Sequence, residues 1–224
     1  MKKFIALICI VLVIGLAFSL VGCKDKPQES EKKDCISYIQ TTFFKGNNQN
    51  FEVKICQGES ELLFVADGKT NEKKPFSRIT LTPNSVDLFE NEYTFQVIGD
   101  KGEVSGSFNK ESFGAYYMAD ISLETIGTPQ HVVISYQNNK KEIELTNMLS
   151  GCISALDALN KAQEALKENL EKDNKDREIY IRMINNQSNP QSAYYWYVAF
   201  IANPQDYYAV LVNPTDGTII NKTA

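Results

Sequence analysis

The sequence predicts an α+β protein: an antiparallel β-sandwich followed by a small domain of order α-β-β-β. Three observations carry this expectation. Residues 36–147 alternate apolar and polar side chains in short runs separated by turn residues, the period-2 mark of strands with one wet face. Residues 155–170 then switch to apolar spacings of three and four, the mark of an amphipathic helix. Three aromatic-rich alternating runs follow. A lone three-stranded sheet needs a cover for its apolar face, and the helix is the available one.

The first expected strand, Ile36 to Lys45, is rich in Thr, Phe, Tyr and Ile and stops at Gly46-Asn47-Asn48. Phe51-Glu52-Val53-Lys54-Ile55 alternates strictly. Leu62 to Ala66 reads as a strand that runs into the turn Asp67-Gly68. Phe76 to Thr82 stops at Pro83, and Tyr93 to Val97 is followed by the turn Gly99-Asp100-Lys101-Gly102. Glu103 to Phe108, Ala115 to Leu123, His131 to Tyr136 and Lys141 to Thr146 complete the set, with a hairpin expected around Asn138-Asn139. Short strands at this spacing suggest an immunoglobulin-like architecture, although the Cys-Trp-Cys hallmark is missing. The boundary falls at Asn147 to Gly151, which gives a sandwich over 36–148 and a second domain over 150–224.

In the second part, Leu156, Leu159, Gln163, Leu166 and Leu170 share a helical stripe with Ala155, Ala158, Ala162 and Ala165 beside it. Ser154 is the expected N-cap, with Asp157 three residues on completing a capping box. The helix is expected to end around Lys172 to Lys175. Ile179, Ile181 and Met183 then share one face, as do Trp196, Val198 and Phe200, and Tyr208, Val210 and Val212. The helix, the aromatic strand Tyr195-Trp196-Tyr197-Val198-Ala199-Phe200 and the ending Val210-Leu211-Val212-Asn213-Pro214-Thr215-Asp216-Gly217-Thr218-Ile219-Ile220 resemble the PepSY domain of secreted and membrane-anchored bacterial proteins. That family tends to place an acid at the position of Asn213 and Thr-Gly at the position of Asp216-Gly217. The resemblance implies a binding or inhibitory module, directed in some members at envelope peptidases. The whole arrangement looks like lipoproteins of Gram-positive anaerobes.

At the other end, Met1-Lys2-Lys3 precedes an apolar run from Phe4 to Val21, and the charged stretch Lys24 to Asp34 follows. A basic start, an apolar core and small residues before a cut are the parts of a secretory signal. Leu20-Val21-Gly22-Cys23 resembles the lipobox of bacterial lipoproteins. The resemblance implies cleavage after Gly22, with residues 1–22 as signal peptide, and a diacylglyceryl thioether on Cys23, the new N-terminus. Its acyl chains would hold the protein on the extracytoplasmic side of the cell membrane. The alternative is an uncleaved transmembrane anchor, since the 18-residue run is at the lower limit for crossing a bilayer. Residues 23–35 are expected to act as a tether, too polar to bury a core.

Removing residues 1–22 takes away Lys2 and Lys3 and no acid, so the formal charge moves from -5 to -7. An acidic chain argues against nucleic acid. It also argues against a basic lipid-binding patch, which leaves the Cys23 anchor as the expected membrane contact. Cys35, Cys56 and Cys152 remain after Cys9 and Cys23 are set aside; their spacing matches no zinc pattern. Free, largely buried thiols are expected, with one disulfide of unspecified pairing as the alternative.

His131 is the one histidine, and nothing places a nucleophile and an orienting acid beside it. No nucleophile elbow, phosphate loop or dinucleotide fingerprint occurs. The expectation is a non-enzymatic protein without metal or cofactor: an envelope binding or regulatory protein whose partner is another envelope protein or a peptidase. The rivals are a structural or adhesion spacer and a cell-wall or glycan hydrolase with a carboxylate pair set by the fold. The candidate contact residues are Tyr180, Arg182, Tyr195 and Tyr197. They share the strand face opposite Trp196 and either meet a partner or pack on the β-domain. Tyrosine and arginine are the side chains that contact surfaces favour.

Overall fold

The computed structural model describes residues 35–112, 114–185 and 193–223. The signal, the lipobox and the tether up to residue 34 lie outside these residues, as does the expected loop at Asn186-Gln187-Ser188. The chain divides into two units, Met1–Asp34 and Cys35–Ala224, and every described element belongs to the second.

The expected α+β class is overturned, and the C-terminal part matches the expected α-β-β-β, PepSY-like order only weakly, since a second helix and a fourth strand join it. The described chain is mostly β, built on one ten-stranded mixed sheet and one four-stranded sheet. The strands of the N-terminal half are β1 (Ile36–Asn47), β2 (Phe51–Glu61), β3 (Lys73–Pro83), β4 (Thr94–Gly99), β5 (Glu103–Ser107), β6 (Asn109–Lys110), β7 (Tyr117–Asp120), β8 (Pro129–Tyr136), β9 (Asn139–Glu144) and β10 (Thr146–Asn147). Two helices follow, α1 (Ala155–Ala165) and α2 (Lys167–Asp173), then β11 (Glu178–Asn185), β12 (Tyr194–Asn203), β13 (Asp206–Val212) and β14 (Ile219–Thr223). The large sheet runs β14-β13-β12-β11-β1-β2-β3-β7-β6, with β10 added beside β1, and the small sheet runs β5-β4-β8-β9.

The join between β1 and β11 is what the sequence does not reveal. Alternation tells which face of a strand is wet but not which strand lies beside it. An open β11 edge would leave a row of backbone groups unpaired. Instead β1 pairs with it in parallel, Ile36 opposite Ile179 and Ile39 opposite Ile181. The Ile179 N–H donates to the Cys35 carbonyl at 2.8 Å, and the Ser37 hydroxyl donates to the Ile179 carbonyl at 3.1 Å. Farther along, the Gln40 side chain takes over from the backbone: its Oε1 accepts from the Met183 N–H at 3.1 Å. There β1 bulges between Gln40 and Thr42. Gly58 lies across from the bulge, and a Cβ on it would sit 1.9 Å from the Ile39 carbonyl oxygen, so no side chain fits.

Two cores result. In the first, Phe44, Phe51, Val53, Ile55, Ile79 and Leu81 of the large sheet meet Phe95, Val97, Val132, Ile134 and Ile143 of the small one. In the second, α1 packs Ala158, Leu159 and Ala162 onto the three triplets expected from the alternation, 179/181/183, 196/198/200 and, through Val210 and Val212, the third strand. Adjacent residues Phe43 and Phe44 belong to the second and the first core respectively, so β1 serves both.

Several local expectations match the structure. Ser154 caps α1, accepting from the Asp157 N–H at 3.1 Å while the Asp157 carboxylate returns to the Ser154 N–H, a full capping box. The β8–β9 hairpin forms with Tyr136 opposite Asn139. The expected helix 155–170 is interrupted at Leu166, which is fully buried and marks the join between α1 and α2. The expected strand Leu62 to Ala66 does not form. Those residues make a loop with Leu62, Leu63, Phe64 and Val65 all exposed. An unbroken apolar run carries no alternation, so it could not distinguish a buried strand from an exposed loop.

Candidate functional site

The parallel join places two aromatic series side by side on the sheet face opposite Trp196. Tyr38 of β1 stands opposite Tyr180 of β11, and their rings stack at 4.4 Å with planes 17° apart. Phe76 of β3 stacks on the far side of Tyr38 at 5.2 Å, and Phe64 meets Tyr180 edge-on at 5.8 Å. Two guanidinium groups lie over the ends of this row, Arg78 5.7 Å from the Phe76 ring and Arg182 5.5 Å from the Tyr180 ring. These are cation–π distances. Ser37, Tyr38, Glu61, Phe64, Arg78 and Tyr180 are among the residues that line a groove of about 340 Å³ here. Burial, first, and then the neighbouring Tyr180 push the Tyr38 phenol well above its ordinary value, so it acts as a neutral stacking ring.

Of the four expected contact residues, Tyr180 and Arg182 belong to this array. Tyr197 stands directly across from exposed Arg182 on β12. It also lines a second, smaller groove of about 190 Å³ with Ile184, Leu211 and Lys222. Tyr195 pairs with Ile184, one step farther from the array. Sequence reasoning missed Tyr38, Phe64, Phe76 and Arg78. Their alternation marks Tyr38 and Phe76 as strand residues, but only the β1–β11 pairing brings them to Tyr180.

A buried acidic corner lies beside the groove, which Glu61 helps to line. Glu178 is fully buried and Glu61 nearly so. Glu61 Oε1 accepts from the Asn71 N–H at 2.8 Å, while Glu61 Oε2 and both Glu178 oxygens have no hydrogen-bond partner of good geometry. The loop between β2 and β3 reaches over this corner at Gly68, whose φ is +79°. A Cβ there would lie 2.7 Å from the Asp176 carbonyl oxygen.

Burial raises the Glu178 carboxyl above its ordinary range. The Ser37 hydroxyl pulls it back, the Glu61 charge raises it further, and the amides of Gly68 and Asp67 oppose the shift. The folded chain therefore binds more protons than the unfolded chain between the two pKa values. Stability is full below the ordinary glutamate pKa and falls as pH rises toward the folded-state value. Glu178→Gln is expected to raise Tm at neutral and alkaline pH by several degrees and to change it little in acid. Each kcal/mol is worth roughly 2–4 °C in a chain of this size. Melting curves across pH check this; an equal drop at every pH would refute a protonation penalty.

Burial pushes the Cys56 thiol up to about 11, and Gln40 Nε2 donates to its sulfur at 3.4 Å, so little thiolate forms at neutral pH. Cys56 and Cys152 carry free thiols but are only half-buried, and Cys35 is exposed, short of the burial expected for the three. His131 on β8 has Glu142 of the adjacent strand 3.8 Å away. Among the described residues no group of three or more His, Cys, Asp or Glu could hold a metal ion. No described helix is long and apolar enough to cross a membrane. The geometry thus defines a mixed-sheet β protein with an aromatic and guanidinium face. Comparison with protein-family models, with curated proteins and with solved structures finds no match.

Proposed function

We propose that the chain is a lipid-anchored binding or regulatory protein on the extracytoplasmic side of a bacterial envelope, and that its contact surface is the face bearing Tyr38, Phe76, Arg78, Tyr180, Arg182 and Tyr197. The observation that supports this contact surface is the row of stacked rings ended by two guanidinium groups. Rings held by stacking lose little entropy on binding, and arginine offers a planar fork to a carboxylate. The surface therefore suits a protein partner presenting aromatic and acidic side chains. An envelope peptidase is the partner class that the C-terminal resemblance implies. Lipidation of Cys23 would place this face among such proteins.

A photo-crosslinking side chain at Tyr197, in the full chain expressed in its envelope, tests the reading. A discrete adduct is expected there. It should be absent when the same group replaces exposed Lys140 on the small sheet, and lost in the Arg78→Glu, Arg182→Glu double variant. Equal adducts from Tyr197 and Lys140, or none from Tyr197, would overturn the assignment of this face.

A further inference from the structure

We propose that the loop carrying Leu62, Leu63, Phe64 and Val65 is a second membrane contact, dipping into the bilayer interface beside the anchor. These four consecutive side chains are 47%, 78%, 49% and 53% exposed, and they make up four of the nine large exposed apolar residues of the described chain. A run of that length held in water is otherwise a fault unless it meets something.

The loop is built rather than loose. The Leu62 N–H donates to the Glu72 carbonyl at 3.0 Å and closes its base. Asp67 N–H bonds the Val65 carbonyl at 2.7 Å, and the Asp67 carboxylate accepts from the Lys69 N–H at 3.0 Å. Gly68 wedges the loop against the Asp176 and Ala202 carbonyls, and Phe64 rests edge-on against Tyr180. The frame thus holds the apolar tip outward instead of letting it collapse onto the sheet.

The position of the chain's entry names the occupant. Tyr38 pairs with Ser60, and Ser37, Tyr38, Ser60, Leu62 and Phe64 line one groove. The body therefore begins, at Cys35, at the same end of the large sheet as the loop. Cys35 is twelve residues beyond Cys23, a span of at most about 40 Å of chain. An anchor at Cys23 keeps this end of the sheet within that distance of the bilayer. Four apolar side chains bind a free membrane weakly. Once tethered, they bind intramolecularly, at the high effective concentration a short linker gives. Interfacial apolar groups settle about 5–10 Å into the headgroup and acyl boundary, a depth the tip of such a loop can reach. The overall negative charge weighed against a lipid contact, but this one is apolar and needs no basic patch.

The inference rests on the proposed anchor for reach alone; an uncleaved anchor at residues 4–21 would give nearly the same reach. Leu63→Trp in the full chain, reconstituted in vesicles of phosphatidylcholine and phosphatidylglycerol, is the test. Trp196 is 1% exposed, so the parent chain supplies a shielded baseline. The introduced indole is expected to shift blue and to lose emission when the acyl chains are brominated near the headgroup, and less when they are brominated deep. Full access to aqueous iodide with no bromine quenching would overturn the proposal. So would protection from iodide without bromine quenching, which would mean that the tip packs on a second copy. Flotation and a fatty-acid label report the anchor separately. A chain that carries no label and does not float would remove lipidation, while the same Leu63→Trp chain held on the vesicles through an N-terminal His tag and a nickel-chelating lipid would still decide the loop.

Discussion

Trp196→Ala is expected to cost about 3–5 kcal/mol, the range for deleting a large buried ring. Trp196 is among the largest fully buried side chains, and it packs in the second core with Leu159, Ala162, Met183 and Val212. Its indole N–H donates to the Ile153 carbonyl at 3.1 Å, so the alanine variant leaves a cavity and also strips that carbonyl of its partner. A total stability of about 5–15 kcal/mol leaves little margin. The variant should therefore melt well below the parent, or fail to fold.

Trp196→Phe separates the two losses: it keeps most of the volume and loses the hydrogen bond, and should cost clearly less. Trp196 is the only tryptophan, so its fluorescence reports the core directly. Parent emission should be blue-shifted and move red cooperatively in denaturant. Emission at the wavelength of free tryptophan in the native chain would contradict the packing. The measurement belongs on the whole body. A fragment beginning near residue 150 would lack β1, and with it the partner of β11 and the Ile36 and Phe43 side chains of the second core.

Arg177→Ala is the second large effect. The Arg177 side chain is 4% exposed and joins two carboxylates, Asp173 at the end of α2 and Asp206 at 2.7 Å in β13. It also donates to the Phe200 and Asp206 carbonyls at 3.2 Å each and lies 4.2 Å from the Tyr208 ring centre. Tyr208 in turn donates its hydroxyl to Asp173 at 3.0 Å. Removing the cation leaves Asp173 with the Tyr208 hydroxyl and Asp206 with Lys175, but cuts the one side chain that ties the helix end to both the acid and the carbonyls of the sheet. The guanidinium is buried while its carboxylates keep contact with water, so the variant should lose clearly more stability than a surface ion-pair deletion and less than the break of a fully buried pair.

The pH dependence has a definite sign. The Arg177 hydrogen bond holds Asp173 below its ordinary value, and Lys175 and then Arg177 do the same for Asp206. Their stabilisation is present above the ordinary aspartate pKa and is lost as pH falls through the depressed values. The parent should therefore weaken in acid, and Arg177→Ala should show less of that weakening. Urea titrations at neutral and acid pH check both statements. A variant with the parent's acid slope would mean that the pair does not couple to folding. The neighbouring residue works the other way, since Glu178 loses stability as pH rises. The two carboxylates held by Arg177 and the carboxyl of Glu178 beside it thus bound the pH range of stability from opposite sides.

The triplets 179/181/183 and 196/198/200, the Ser154 cap and the β8–β9 hairpin were legible because each depends on contacts within a few residues or on one strand's own alternation. The same alternation placed Tyr180, Arg182, Tyr195 and Tyr197 opposite Trp196. Leu62 to Val65 was misread because an apolar run without period does not say whether it is covered. Strand neighbours were not legible either. Ser37 and Ile179 are 142 residues apart, and no local pattern encodes a parallel pairing across that distance. That pairing carried one sheet across the expected boundary and brought Tyr38 and Phe76 to Tyr180, while the antiparallel pairing of β1 with β2 put the apolar loop at the end where the chain enters. The sequence by itself determined which side chains face inward on each element, because burial follows periodicity. Only the tertiary structure decided which elements lie side by side, because an open strand edge must find a partner and the choice among partners is made by the packing of the whole.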